Sequence, residues 1–144
     1  MRRLCVSGGL LFATAALIAG PVFAQNNEKI TGNPEAGKTD FAICMACHQI
    51  GPNAQNAVGP ELNGVIGSKV ASDRGGYEFS QALKTAPFKV WTVPELQKWL
   101  AGPQKLVSGT KMVFPGFTNE TQINDVIAYL AQFNEKGEQK KPSG

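Results

Sequence analysis

Apolar positions along the chain recur with a helical period, and strand-like alternation is weak. Near the C-terminus Ile123, Val126, Ile127 and Leu130 fall at i, i+3, i+4 and i+7, with Tyr129 and Phe133 widening the stripe. A helix is expected there, capped by Thr118. Asn33 followed by Pro34 and Glu35 reads as an N-cap, a proline at the first helical position and a first-turn acid. That helix is expected to run through Phe41 into residues 44–48, CMACH. Thr92-Val93-Pro94-Glu95 has the spacing of a capping box and predicts a short helix ending at Gly102-Pro103.

The rest reads as loop. QIGPNAQNAVGPELNGVIGS is rich in Gly, Asn and Pro, and RGGYEFSQ adds a turn before another short helix. Irregular segments this long are unusual in a small domain, unless they wrap something that is not protein. The closing EKGEQKKPSG is polar and expected to fray. There is no internal repeat and no second domain. The expected architecture is all-α, with three main helices, a few short ones, and loops wrapped around a central group.

Composition changes this picture mainly at the front. MRRLCVSGGLLFATAALIAGPVFA has two arginines, an apolar run and small residues before Gln25, the layout of a secretory signal peptide cleaved after Ala24. An uncleaved anchor is the alternative, which Pro21 and the V-F-A ending disfavour. The expected boundaries are a leader over 1–24, a domain over 25–134 and a polar tail over 135–144. Cleavage leaves 144 − 24 = 120 residues, enough for one modest core. Lys plus Arg then number 14 − 2 = 12 against 11 acids, a formal charge near +1 that does not suggest nucleic-acid binding. No other segment is long and apolar enough to span a bilayer, so a soluble, periplasmic protein is expected.

Only Cys44 and Cys47 survive processing, and His48 is the single histidine. A disulfide is one reading of two exported cysteines. A redox-active CxxC would sit in a βαβ setting, which is missing, and a structural zinc site needs four ligands. C-x-x-C-H in a helical, loop-wrapped, exported chain fits covalent haem attachment of the c type. Two thiols so spaced can add across two vinyl groups, and His48 then faces the iron. With no second histidine, the other axial ligand must be Met, Lys or another donor. Met45 is held on the attachment side. Met112, 112 − 48 = 64 residues further on in SGTKMVFPGF, is flanked by the turn formers Gly109, Pro115 and Gly116. A lone Met is often core filler, but this one lies on a loop, and His/Met ligation raises the reduction potential.

AGKTDFAICMACH, VGPELNGVIG, Trp91, TKMVFPGF and DVIAYL, in that order and spacing, resemble the class I c-type cytochromes, similar to mitochondrial cytochrome c and its soluble bacterial relatives. The resemblance covers roughly Asn33 to Phe133. It implies the small cytochrome c fold around one haem c, with Gly37 and Phe41 of the first helix against Val126 and Tyr129 of the last. It implies that the Pro60 carbonyl accepts the His48 N–H, that Leu62 and Leu100 lie on the porphyrin, and that Trp91 and Thr110 donate to a propionate. Three positions depart from the family pattern. Ser68 stands where an arginine is common, Phe79 where a tyrosine is common (with Tyr77 two residues away), and Trp99 where a tyrosine neighbours the Met ligand.

These features point to a monomeric one-electron carrier rather than an enzyme, because both axial positions are filled and no small-molecule substrate can bind iron. The implied partners are membrane-bound redox complexes with acidic docking patches: a quinol–cytochrome oxidoreductase as donor, an oxidase or photosynthetic reaction centre as acceptor. Lys38, Lys105 and Lys111 would form the matching basic rim. A dedicated electron-accepting subunit of a periplasmic dehydrogenase is the alternative with the same chemistry. A ligand-binding or peroxidase-type haem protein and a disulfide-stapled binding module are the alternatives with different chemistry.

Overall fold

The computed structural model describes residues 29–140. The expected leader, residues 1–24, and the last four residues lie outside that range. Five α-helices are described: α1 (Pro34–Asp40), α2 (Gln81–Lys84), α3 (Val93–Ala101), α4 (Pro103–Leu106) and α5 (Glu120–Leu130). A 3-10 helix, Phe41–Ala46, continues α1 directly. Among the described residues there is no strand, only isolated bridges between Lys69 and Val90 and between Phe133 and Gln139. No described helix is long and apolar enough to cross a membrane.

The entry of α1 is as expected. The Asn33 side chain accepts from the Glu35 N–H at 2.9 Å, Pro34 takes the first turn, and Glu35 meets the positive end of the dipole. Its exit is not. The α-helix stops at Asp40 and the chain tightens into the 3-10 turn that carries Cys44 and ends at Cys47. Three residues per turn set positions i and i+3 on the same side, which suits Cys44 and Cys47 better than an α-helix would. In α3 the Thr92 side chain accepts from the Glu95 N–H at 3.3 Å, as its capping spacing predicts. Gly102-Pro103 ends α3 but also begins α4, since proline is well suited to a first helical position.

For α5 the cap is Asn119, not Thr118. The Asn119 side chain accepts from the Thr121 N–H at 2.8 Å, and its backbone is extended at the residue where the helix begins. Thr118 precedes the cap by one residue. Part of the tail expected to fray, residues 135–140, is tied back by hydrogen bonds. Asn134 Oδ1 accepts from the N–H groups of Lys136 and Glu138 at 2.9 and 3.0 Å, which makes a turn. Lys140 N–H then donates to the Gln132 carbonyl at 2.7 Å. Gly137, at φ +75°, lies against the Gly51 carbonyl so closely that a Cβ would collide with it.

The core is the crossing of α1 and α5, with α3 laid alongside. Gly37 lets the backbones touch: a Cβ there would run into the Asp125 carbonyl. Phe41 and Tyr129 stack at 5.3 Å, and Phe41, Val126 and Ile127 are each only 1 % exposed. Full burial of such side chains is worth about 1.5–3 kcal/mol apiece. Polar clamps fix the register. Asp125 Oδ1 accepts the Asn33 N–H at 2.6 Å, Gln122 donates to Asp40 at 3.0 Å, and Gln97 donates to Asn124 at 2.8 Å.

Candidate functional site

The 3-10 turn ends with the N–H groups of Cys47 and His48 both donating to the Cys44 carbonyl, at 3.0 and 2.9 Å. This single carbonyl holds the pentapeptide curled, and both thiols and the imidazole line one cavity of about 290 Å³. The thiols are free, not joined as a disulfide. Burial pushes the Cys44 thiol up to about 11, and the neighbouring Cys47 pushes the same way. Adding an S–H across a vinyl group would replace this buried ionisable group with an uncharged thioether.

His48 Nδ1 is 2.7 Å from the Pro60 carbonyl oxygen. A carbonyl only accepts, so Nδ1 bears the proton and Nε2 keeps the lone pair. Burial holds the imidazole below its ordinary range, against the Pro60 bond, which raises it. The ring is therefore neutral at pH 7, as a metal ligand must be. The loop that delivers Pro60 is stitched to the residues around His48. Gly59 N–H donates to the Cys47 carbonyl at 2.8 Å and Leu62 N–H to the Gln49 carbonyl at 3.0 Å. Buried Asn63 bonds Gly51 in both directions, at 2.9 and 3.0 Å. Gly59 lies flat against the imidazole, and a Cβ there would fall within 2.8 Å of both ring nitrogens. The VGPEL motif reads as a turn in sequence; in space its glycine makes room for the ring.

Every site residue inferred from sequence lines this one cavity: Cys44, Cys47, His48, Pro60, Leu62, Trp91, Leu100, Thr110 and Met112. They come from four separate segments. Trp91 is held by backbone bonds on both sides, its N–H to the Ser68 carbonyl at 2.9 Å and its carbonyl from the Gly67 N–H at 2.8 Å. Trp99, a departure from the family pattern, meets Trp91 edge-on at 5.1 Å in the cavity wall. Thr110 is buried, and its Oγ1 accepts weakly from the Met112 N–H at 3.4 Å. Met112 is half-buried on the loop after α4. Lys69 and Lys111 line the cavity; Lys38 and Lys105 are exposed but do not. Lys111 Nζ donates to the Glu78 carbonyl at 2.6 Å, tying the Met112 loop to the opposite segment.

Sequence reasoning missed Arg74. Its side chain is 12 % exposed and also lines the cavity. It donates to Glu61 Oε1 at 2.7 Å, to the Asn63 carbonyl at 2.8 Å and to Ser68 Oγ at 3.1 Å. The guanidinium thus stands beside Ser68, the position where the resemblance leads one to expect arginine, but it arrives from six residues further along. The available signal was composition, since Arg74 is the one arginine after the leader. Tyr77 does not leave its hydroxyl free to replace the tyrosine missing at Phe79. It donates to the Val58 carbonyl at 2.9 Å and packs edge-on against Phe79 at 4.9 Å.

Paired thiols, a neutral imidazole, a thioether and largely apolar walls form a donor set that suits an iron porphyrin. Residues 34–134 match the sequence pattern of the family described as Cytochrome c. The chain belongs to the cytochrome c family. This cytochrome is of class I, its cofactor is one covalently attached haem c, and its role is electron transfer. It is 44 % identical over 106 residues to cytochrome c2 from Rhodoblastus acidophilus, an alignment covering 74 % of this chain and 97 % of that one. It is 45 % identical over 106 residues to cytochrome c-550 from Ancylobacter novellus, covering 72 % and 98 %. Among solved structures, cytochrome cH from Methylobacterium extorquens is similar at a TM-score of 0.65 and 46 % identity, covering 69 % of this cytochrome and 98 % of that chain. The small all-α cytochrome c fold inferred from sequence is therefore the fold of this cytochrome.

Proposed function

We propose that this cytochrome is a soluble, monomeric periplasmic carrier of single electrons. It runs between a membrane cytochrome oxidoreductase and a terminal oxidase or photosynthetic reaction centre, and it is not an enzyme. The observation that carries this reading is the meeting of His48 and Met112, 64 residues apart in sequence, in the wall of one cavity with Cys44 and Cys47.

Cys44 and Cys47 would hold the haem by thioethers, and His48 Nε2 and the Met112 thioether would bind its iron. Haem c supplies the iron couple that gains and loses one electron. The chain's part is to keep the surroundings alike in both states. The Pro60 carbonyl orients the imidazole and strengthens Nε2 as a donor. Leu62 and Leu100, in the cavity wall, would keep water from the bound haem, and Trp91 and Thr110 would donate to its propionates. Arg74, beside Ser68 in the cavity wall, would supply the positive charge that the resemblance leads one to expect at that position. With His48 and Met112 both given to the iron, no position on it would be left for a substrate.

Docking at one edge is supported by the cavity's rim. Ile43, Val58 and Val113 line the cavity and are nonetheless 57 %, 75 % and 85 % exposed. Lys69 and Lys111 border the same opening. Acidic patches on membrane complexes would meet this edge. The test is Met112→Ala in the haem-loaded protein. Loss of thioether donation should lower the reduction potential and abolish the ferric Met–iron charge-transfer band. Persistence of that band would show that Met112 is not the ligand.

A further inference from the structure

We propose that Gln104 is a positioning residue for the Met112 ligand, holding the loop that presents the thioether by its main-chain carbonyls. This rests on the proposed His48/Met112 ligation. Gln104 is the second residue of α4, and Pro103 before it fixes the start of that turn. Its Nε2 lies 2.6 Å from the Thr110 carbonyl and 3.1 Å from the Met112 carbonyl. Two carbonyl oxygens at bonding distance require the amide nitrogen, not the amide oxygen, on that side, with one N–H for each.

The tether matters because the loop has few others. Its ends are fixed, by Thr110 N–H to the Val107 carbonyl at 3.2 Å and by Phe117 N–H to the Leu100 carbonyl at 2.8 Å. Between them, among the described residues, no backbone–backbone hydrogen bond involves positions 111–116. The main chain on both sides of the Met112 Cα therefore depends on side chains: Gln104 for the two carbonyls, and Thr110 Oγ1 for one distant N–H. Lys111 holds the loop only by its own ammonium, through the Glu78 carbonyl. Gln104 supplies the contacts that bear directly on where the Met112 backbone stands.

An external ligand can take the sixth position only when Met112 leaves it, so its apparent affinity scales with the population of the loop-open state. Opening must break both Gln104 bonds. In the haem-loaded ferric protein, Gln104→Met keeps the side-chain length and removes both donors. It should raise the affinity for added imidazole about fivefold, the worth of roughly one net hydrogen bond at an exposed site. Gln104→Glu sets a carboxylate against the same two carbonyls and should raise it about tenfold or more. A merely structural role would lower the denaturant midpoint and leave imidazole affinity within about twofold of wild type. That result in both variants, with the Met–iron charge-transfer band present in wild type, overturns the inference while leaving the ligation intact. Absence of the band in wild-type protein overturns the ligation, and the role of Gln104 with it.

Discussion

Gly59 allows the most direct test of how the imidazole is seated. Its φ lies outside the left-handed region, so Gly59→Ala asks a steric question and not a backbone one. The added Cβ would stand 2.4 Å from His48 Cε1, 2.7 Å from Nδ1 and 2.8 Å from Nε2, where ordinary contact begins near 3.4 Å. Relief of the closest contact needs a shift of 3.4 − 2.4 = 1.0 Å in the ring or the Gly59 backbone. Neither moves freely: Gly59 N–H is bonded to the Cys47 carbonyl and His48 Nδ1 to the Pro60 carbonyl. A ring displacement of that size away from Pro60 would stretch a 2.7 Å hydrogen bond to 2.7 + 1.0 = 3.7 Å, beyond bonding distance. Overpacking of this kind costs about 1–3 kcal/mol. The lost bond adds about 1 kcal/mol. The sum, about 2–4 kcal/mol, is readable as a lowered denaturant midpoint at unchanged m in the haem-loaded protein. Proton NMR should show the His48 Nδ1–H exchanging faster with solvent. A Gly59→Ala protein within about 0.5 kcal/mol of wild type, with that proton exchanging at the wild-type rate, would refute the close seating of the ring.

Other expectations are simpler to check. Asn119→Ala should cost about 1 kcal/mol in chemical denaturation, as the loss of an N-cap does, while Thr118→Ala should stay within about 0.5 kcal/mol. Burial raises the Tyr129 phenol, and the Glu35 carboxylate pushes the same way. Its stabilising contribution is therefore complete below the unfolded value near 10 and is lost as pH rises towards the folded one. Wild-type stability should fall more steeply above pH ~10 than that of Tyr129→Phe, and equal slopes would contradict the shift. The proposed docking edge predicts that Lys69→Glu, at the cavity rim, slows reduction of an oxidase or reaction centre more than Lys140→Glu in the tail. The difference should shrink with salt as the Debye length falls below about 8 Å; equal slowing at both sites would leave only a global charge effect.

The chemistry of this site was legible because it is written in covalent and coordination rules. CMACH states its own spacing, and a single histidine together with the turn formers around Met112 picks out a residue that the fold brings to the cavity of His48. The stripe of α5 was legible for the same kind of reason, since Ile123, Val126, Ile127 and Leu130 must share a face. What stayed hidden depends on neighbours distant in sequence. Thr118 and Asn119 are both good capping residues side by side, and the backbone angles that choose between them come from how the loop meets α3. Arg74 belongs to a loop with no periodicity, and its place beside Ser68 follows from contacts with Glu61 and Asn63. The turn at Asn134 gains its hold by closing on Gly51, more than eighty residues earlier. Gly102-Pro103 signals a helix end and a helix start equally well.

The crossing of α1 and α5 has a consequence for the order of events in the chain's making. Asn33 and Asp125 are 92 residues apart, yet the N–H of one is capped by the side chain of the other. Gly32 and Gly37 likewise lie beneath the backbone of residues 124–126. The first helix therefore has no partner until almost the entire polypeptide has been synthesised. Contacts of such high sequence separation close slowly, since the loop entropy is lost before any contact compensates for it. Until then the 3-10 turn that follows α1 has no α5 at its back, and the Cys44 and Cys47 thiols stand on an open chain. Before the two ends dock, no part of α5 stands between a large planar group and either sulfur. Variants that speed docking, such as those adding apolar contact between α1 and α5, should shorten that interval and lower the fraction of chains carrying haem.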